Sequence, residues 1–261
     1  MTTATAAPVV ETVGLTRIYP DAQAVRALDG VSLRIERGEF VVVMGPSGSG
    51  KSTLLHLIGA LDRPTSGVVR VDGQDLAGVV DLDRFRARTI GFIFQMHNLL
   101  PTLTAAENVE VPMQGVGVPA AERRRRSLEL LDLVGLAALA HRLPNALSGG
   151  QRQRVAVARS LANDPPLILG DEPTGNLDSA AGAEVIRHFA SLTRDHGKTV
   201  IVVTHDPVVA LSAGRILTLR DGRVDQDEQV DEAYTRQLAT LRDTPLGRLL
   251  FGDRLPPTAA V

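Results

Sequence analysis

With 261 residues, 44% hydrophobic and 22% charged, the chain is long enough to bury a core and has the balance of an ordinary globular protein. A formal net charge of −2, 3% aromatic residues and no Trp argue against a nucleic-acid-binding surface, whether basic or base-stacking. The absence of Cys rules out disulfides and thiolate chemistry, and no apolar run approaches the roughly 18 residues needed to span a bilayer.

Residues 1–10 read as a loose tail without the basic and apolar regions of a signal peptide. A strand-like stretch runs from Val9 to Ile18 and ends at Tyr19-Pro20. Over Val31–Glu36 apolar and polar residues alternate, the pattern of a half-buried antiparallel strand. Phe40–Met44 is instead continuously apolar, as a parallel strand covered on both faces would be. It runs into Gly45-Pro46-Ser47-Gly48-Ser49-Gly50-Lys51-Ser52-Thr53, and the helix-like Leu54–Ile58 follows.

Strand, glycine-rich loop and helix in that order make a phosphate-binding P-loop. The glycines let successive backbone N–H groups turn inward towards phosphate oxygens, and a helix beginning near Gly50 adds its unpaired N–H groups and positive dipole end. Lys51 can reach the β- and γ-phosphates of a nucleotide, and the Ser52 hydroxyl can ligate Mg²⁺.

Val68–Val71 with Asp72-Gly73 predicts a further strand and turn. Residues 96–147 differ in texture. Gly115 and Gly117, flanked by Pro112 and Pro119, interrupt the chain before Glu122–Leu131, whose apolar spacing continues through Leu133, Val134 and Leu136. This predicts a small helical subdomain inserted into an α/β core, with Arg123–Arg126 as a solvated helix face. In Leu147–Arg159, Ser148 is placed to cap a helix, and Gly149-Gly150 leave its first N–H groups open as a second anion site.

Leu167-Ile168-Leu169-Gly170-Asp171-Glu172 reads as an apolar strand delivering two carboxylates to the ligand-binding edge of a sheet. Neighbouring side chains on a strand diverge, so Asp171 is expected in a magnesium shell and Glu172 at an attacking water. Val200–Val203 predicts another covered strand, and Asp221-Gly222 a hairpin between Arg215–Arg220 and Arg223-Val224. Residues 231–251 have the spacing of one more helix, with Tyr234, Leu238 and Leu241 on one face. The expected divisions are a tail over 1–10, a domain over 11–225 with its helical part at about 96–147, and an extension over 226–261.

Taken together, these strings resemble the ATP-binding cassette (ABC) ATPases. Ser148-Gly149-Gly150-Gln151 matches that family's signature, Gln95 its Q-loop, Gly175-Asn176-Leu177-Asp178 its D-loop and His205 its switch histidine. Tyr19 matches the aromatic that stacks on adenine. The match runs in order from about residue 10 to about residue 225. It implies a P-loop NTPase of α/β class, with a RecA/F1-like parallel-sheet core, an N-terminal antiparallel β layer and the inserted helices. It also implies ATP and Mg²⁺ as ligands, with Ser52, Gln95 and, through water, Asp171 around the metal.

In the mechanism this resemblance implies, two cassettes pair head to tail. Each ATP lies between Tyr19 and Gly45–Thr53 of one chain and Ser148–Gln151 with Asp178 of the other. Glu172 and His205 manage the water, with Lys51 and Gln95 completing the catalytic set. Phe94–Val109, His56–Gly67 and the Gly175-Asn176 form of the D-loop are similar to the lipoprotein-releasing and macrolide-efflux branch. There an ATPase dimer at the inner face of the cell membrane drives integral-membrane subunits with large extracytoplasmic domains. A cell-division or signalling ATPase acting on a membrane partner without transport is the alternative. A soluble DNA-repair or translation ATPase fits a single cassette without coiled-coil insertions less well. Departures from the family pattern are Met96 in place of a frequent aromatic, Gly170 in place of Ala, and residues 226–261.

Overall fold

The computed structural model describes residues 7–20 and 24–231. The helix expected over 231–251 therefore lies outside the described residues, apart from Asp231. Among the described residues, ten strands and seven α-helices form two sheets and their covering layers. Strands β1 (Val10–Tyr19), β2 (Val25–Ile35), β4 (Ser66–Val71) and β5 (Gln74–Asp75) make an antiparallel sheet in the order β2-β1-β4-β5. Strands β3 (Phe40–Met44), β6 (Ile90–Phe94), β7 (Leu167–Asp171), β8 (Thr199–Val203), β9 (Arg215–Arg220) and β10 (Arg223–Gln229) form the second sheet, ordered β10-β9-β3-β8-β7-β6. All its neighbours are parallel except the β9–β10 hairpin.

Continuous apolar runs mark the central strands because both faces of this sheet are covered. On β3, Phe40 and Val42 enter one core, while Val41 and Val43 enter the other. On β8, Val200 and Val202 part from Ile201 and Val203 in the same way. The first core lies under α3 (Ala105–Gln114), α4 (Ala120–Leu133), α5 (Gly149–Ser160) and α6 (Ser179–His196). The second lies between the large sheet, α1 (Lys51–Ile58) and the antiparallel layer, with α2 (Leu82–Thr89) contributing Phe85. Helix α7 (Pro207–Ala210) is a single turn after β8.

The structure moves several expected boundaries. Strand β1 begins at Val10, and Val9 before it is fully buried. Strand β2 starts six residues before Val31. The break at Gly115 and Gly117 falls where expected, between the end of α3 at Gln114 and the start of α4 at Ala120, with Pro112 accommodated in the last turn of α3 and Pro119 at the N-cap of α4. Helix α4 stops at Leu133 because Gly135 takes up the left-handed conformation, although Val134 and Leu136 remain buried in the same core. Along α4 the arginines are balanced locally. Arg125 bonds Glu122 and Glu129 at 2.6 Å each, and Arg123 and Arg124 face Glu110 at 3.8 Å. The strands around Asp72-Gly73 and Asp221-Gly222 form as the sequence predicts.

Register carries this architecture to one edge. Val43 of β3 pairs with Val203 of β8, Val203 with Asp171 of β7, and Asp171 with Phe94 of β6. Four parallel strands therefore end side by side, and the segment leaving each begins with a candidate residue: the glycine-rich loop, Thr204-His205, Glu172 and Gln95. In open α/β sheets this carboxyl edge is where ligands bind.

Candidate functional site

The loop from Gly45 to Gly50 turns between β3 and α1, and Gly50 caps the helix with φ +100. A Cβ on Gly50 would stand 2.3 Å from the Ala27 carbonyl oxygen, so neither the conformation nor the space admits a side chain. The first turn of α1 carries Lys51, Ser52 and Thr53 with no side-chain cap on its N–H groups. Lys51 Nζ donates to the carbonyl oxygens of Gly45 and Pro46, each at 2.8 Å, and so lies across the mouth of the loop. Ser49 Oγ is buried there without a hydrogen-bond partner. An ammonium held only by carbonyls, an orphaned hydroxyl and open amides at a helix start together suit a polyphosphate.

Ser52 Oγ donates to Asp171 Oδ1 at 3.2 Å, across from the end of β7. Burial lifts the Asp171 carboxyl above its ordinary range, opposed by that hydrogen bond and by the charges of His56 and Lys51. A hydroxyl beside a partly desolvated carboxylate is the hard oxygen set that a magnesium ion shares with nucleotide phosphates. The residues present therefore fit Mg²⁺, with Ser52 and Asp171 as its protein side. Gln95 stands near the same edge.

Glu172 follows with φ +46, an unusual conformation for a residue with a side chain. Its backbone N–H donates to Val203 O at 2.9 Å. One carboxylate oxygen meets His205 Nδ1 at 2.8 Å, and the other accepts from the Thr204 hydroxyl at 3.2 Å. Asp206 N–H donates to Thr204 Oγ1 at 3.0 Å, which leaves the single hydroxyl proton for Glu172. Thr204 is fully buried and was not legible as a site residue, because its importance lies in a contact 32 residues away. We expect Thr204→Val to lower the ATPase rate about tenfold or more with nucleotide affinity unchanged, since a carboxylate freed on one side loses its aim. Steady-state kinetics beside equilibrium ATP titration checks this.

Gly175 approaches Gln95 closely: a Cβ there would come within 2.9 Å of Gln95 Nε2. Asn176 Nδ2 donates to Gln95 O at 3.3 Å and to Met96 Sδ at 3.5 Å, so Met96 is used where an aromatic is more frequent. Gly175→Ala should displace the Gln95 amide without unfolding the protein, because the far end of a flexible side chain yields more easily than backbone. We expect a fall in turnover of about tenfold, with an unchanged thermal midpoint as the control. At Gly170 a Cβ would touch Pro173 and Val202 at 3.3 Å, a tight but not forbidden fit for the more usual Ala.

Ser148 caps α5 in a complete capping box. Its hydroxyl accepts from Gln151 N, and Gln151 Oε1 accepts from Ser148 N at 2.9 Å. Gly149 lies against Leu177 and Asn176, and Gly150 against Ala181. Among the described residues no hydrogen bond of Ser148–Gln151 reaches the P-loop, so the chain does not bring these two groups together. Asp178 caps α6 by accepting from Ala181 N at 2.8 Å. At the other end of α5, Arg159 donates to the carbonyls of His97 and Asn98 at 2.7 and 2.6 Å. Those two residues, both with positive φ, form the turn immediately after Gln95-Met96. Tyr19 stands at the end of β1, its hydroxyl 3.0 Å from Asp62 Oδ2.

A family model described as ABC transporter matches residues 28–175, more than half of the chain. This chain belongs to the ABC transporter family. It is 52% identical over 87% of its length to an uncharacterized ABC transporter ATP-binding protein of Thermotoga maritima, of which it covers 97%. It is also 51% identical to the lipoprotein-releasing system ATP-binding protein LolD of Anaeromyxobacter dehalogenans, over 85% of this chain and 95% of that one. Against the macrolide export ATP-binding/permease protein MacB of Rhodospirillum rubrum it is 48% identical over 92% of its length but spans only 36% of that longer protein. Among solved structures, an ATP-binding cassette from Methanocaldococcus jannaschii, dimeric in a post-hydrolysis state with ADP and Pi, superposes with a TM-score of 0.79 at 46% identity. That match covers 85% of this chain and 99% of the cassette. The chain is thus an ATP-binding ABC ATPase of the branch that contains LolD and MacB, and its two-sheet α/β architecture is that of the cassette.

Proposed function

We propose that the chain is the ATPase subunit of an exporter of the lipoprotein-releasing or macrolide-efflux kind, and that it works as a head-to-tail homodimer with ATP between the two chains. The observation that carries this is the separation within one chain of two anion-accepting helix starts, at Lys51 and at Gly149. Each is complete locally, and among the described residues no hydrogen bond joins the second to the first. A second copy would place Ser148–Gln151 and Asp178 over the nucleotide held by Gly45–Thr53. The γ-phosphate then bridges two positive helix ends, and its loss releases them.

In this reading Tyr19 stacks on the adenine and Lys51 leaves its carbonyls for the β- and γ-phosphates. Ser52, Gln95 and, through water, Asp171 hold Mg²⁺, which neutralises phosphate charge when bound. Glu172 accepts a proton from the attacking water, and His205 steadies that water against the γ-phosphate. The cassette occupies 11–225, its helical part 96–147, and 226–261 lie beyond it. Among the described residues no helix is long and apolar enough to cross a membrane. In this reading, which the likeness to LolD and MacB supports, the partner is an integral-membrane permease with a large extracytoplasmic domain, and the ATPase docks at the inner face of the cell membrane. The alternative, activation of a membrane partner without transport, uses the same engine.

Light scattering on the Glu172→Gln protein tests the dimer. A rise from monomer to dimer mass on adding ATP–Mg²⁺, absent with ADP, is expected. A monomer in both nucleotides, with ATP shown to be bound, would overturn the two-chain site.

A further inference from the structure

The segment from His56 to Gly67 carries part of the resemblance to the exporter branch and, apart from the charge of His56 near Asp171, takes no part in the phosphate end of the site. Ala60 O accepts Arg86 Nη1 at 2.7 Å, but several of the segment's contacts converge on the end of β1. Asp62 Oδ2 accepts the Tyr19 hydroxyl at 3.0 Å, and Asp62 Oδ1 accepts Arg17 Nη2 at 2.9 Å and the Arg63 backbone N–H at 2.7 Å. Arg17 lies two residues before Tyr19 on β1 and therefore on the same face of the strand. Its guanidinium carbon sits 4.5 Å from the centre of the Tyr19 ring. Thr65 adds two backbone fastenings, donating its N–H to Thr16 O at 2.8 Å and accepting Ile18 N–H on its hydroxyl at 3.0 Å.

Asp62 is itself tied to the helix that leaves the P-loop. Leu61 N–H and Asp62 N–H both donate to His56 O, in the last turn of α1, at 2.9 and 3.3 Å. The phenol ring at the edge of one sheet is thereby registered against the helix whose other end faces the phosphates.

We propose that Asp62 and Arg17 are positioning residues for the nucleotide base. Asp62 locks the tilt of the Tyr19 ring through its hydroxyl, and Arg17 covers one face so that the other is presented to adenine. This rests on the reading of Tyr19 as the adenine platform. A ring already held in plane need not be immobilised when the base arrives, and that saves the ordering loss that weakens binding to a free side chain. The tether through α1 also fixes the spacing between the base and the triphosphate.

The sequence supplies its own probe, because there is no Trp and only two Tyr. In a Tyr234→Phe background Tyr19 is the sole tyrosine, and a phenol hydrogen-bonded to a carboxylate emits weakly. Asp62→Asn and Tyr19→Phe should each weaken ATP about five- to tenfold while leaving inorganic tripolyphosphate within about twofold, since only the base uses the ring. Asp62→Asn should also raise Tyr19 emission in the free protein, and the Asp62→Asn/Tyr19→Phe pair should be no worse than either single change. Arg17→Gln should weaken ATP in the same direction.

Tyr19→Ala separates the two layers of the argument. If it leaves the ATP-to-tripolyphosphate ratio unchanged, Tyr19 is not the base platform and that reading fails. If it lowers the ratio while Asp62→Asn and Tyr19→Phe do not, stacking stands and the tether is overturned. An equal loss for both ligands in Asp62→Asn would make the segment a general support of the loop. Tighter ATP binding in Arg17→Gln would show that Arg17 competes with the base for the ring.

Discussion

Glu172→Gln should lower steady-state ATP hydrolysis by about 10²-fold or more, with ATP affinity within about twofold of the unchanged protein. The carboxylate is held at both oxygens, by His205 at 2.8 Å and Thr204 at 3.2 Å, on a residue whose backbone is itself in a strained conformation. Glutamine keeps the size and can still accept from Thr204, so the strand end and the phosphate loop keep their shape. What it lacks is basicity. An amide cannot take the proton of an attacking water, and its NH₂ group would face His205 where an acceptor stood. Phosphate release measured under saturating ATP, beside equilibrium binding, separates the two effects. Turnover at the original rate would remove Glu172 from the reaction.

Lys51→Ala should weaken ATP by about 10²-fold or more, because two or more charge-assisted bonds of roughly 1.5–3 kcal/mol each are lost together. The ammonium donates to Gly45 O and Pro46 O, both at 2.8 Å, at the mouth of the loop. Without it those carbonyls would face the phosphates alone, adding repulsion to the lost attraction. The loss should be shared by inorganic tripolyphosphate, which distinguishes it from any defect at the base. An unchanged titration would count against Gly45–Thr53 as the phosphate site.

The parts of this site that the sequence revealed are those whose chemistry is contiguous. The glycine-rich loop, the Asp171-Glu172 pair and the Ser148 cap each sit in one string whose order already implies strand, turn and helix. Three apolar runs announced the covered strands because burial on both faces leaves no room for alternation. What escaped were lateral bonds between distant strings. The hydroxyl of Thr204 on Glu172, Asp62 on Tyr19, and Arg159 on the turn after Gln95 are tertiary contacts with no local signal. The misplaced end of α4 has a local cause. The apolar spacing that extended α4 to Leu136 is real burial, but Gly135 ends the helix first.

Helix α5 has one further consequence. Its first turn carries the capped Ser148–Gln151 box, and its last turn carries Arg159, clamped on the carbonyls of His97 and Asn98. Between Gly149 and Arg159 a straight helix runs about 15 Å and is stiff along its axis. It therefore behaves as a pushrod with a fitting at each end. The bend of the chain beyond Gln95 and the attitude of the Ser148 turn cannot be set independently, and a partner that presses on either end moves both.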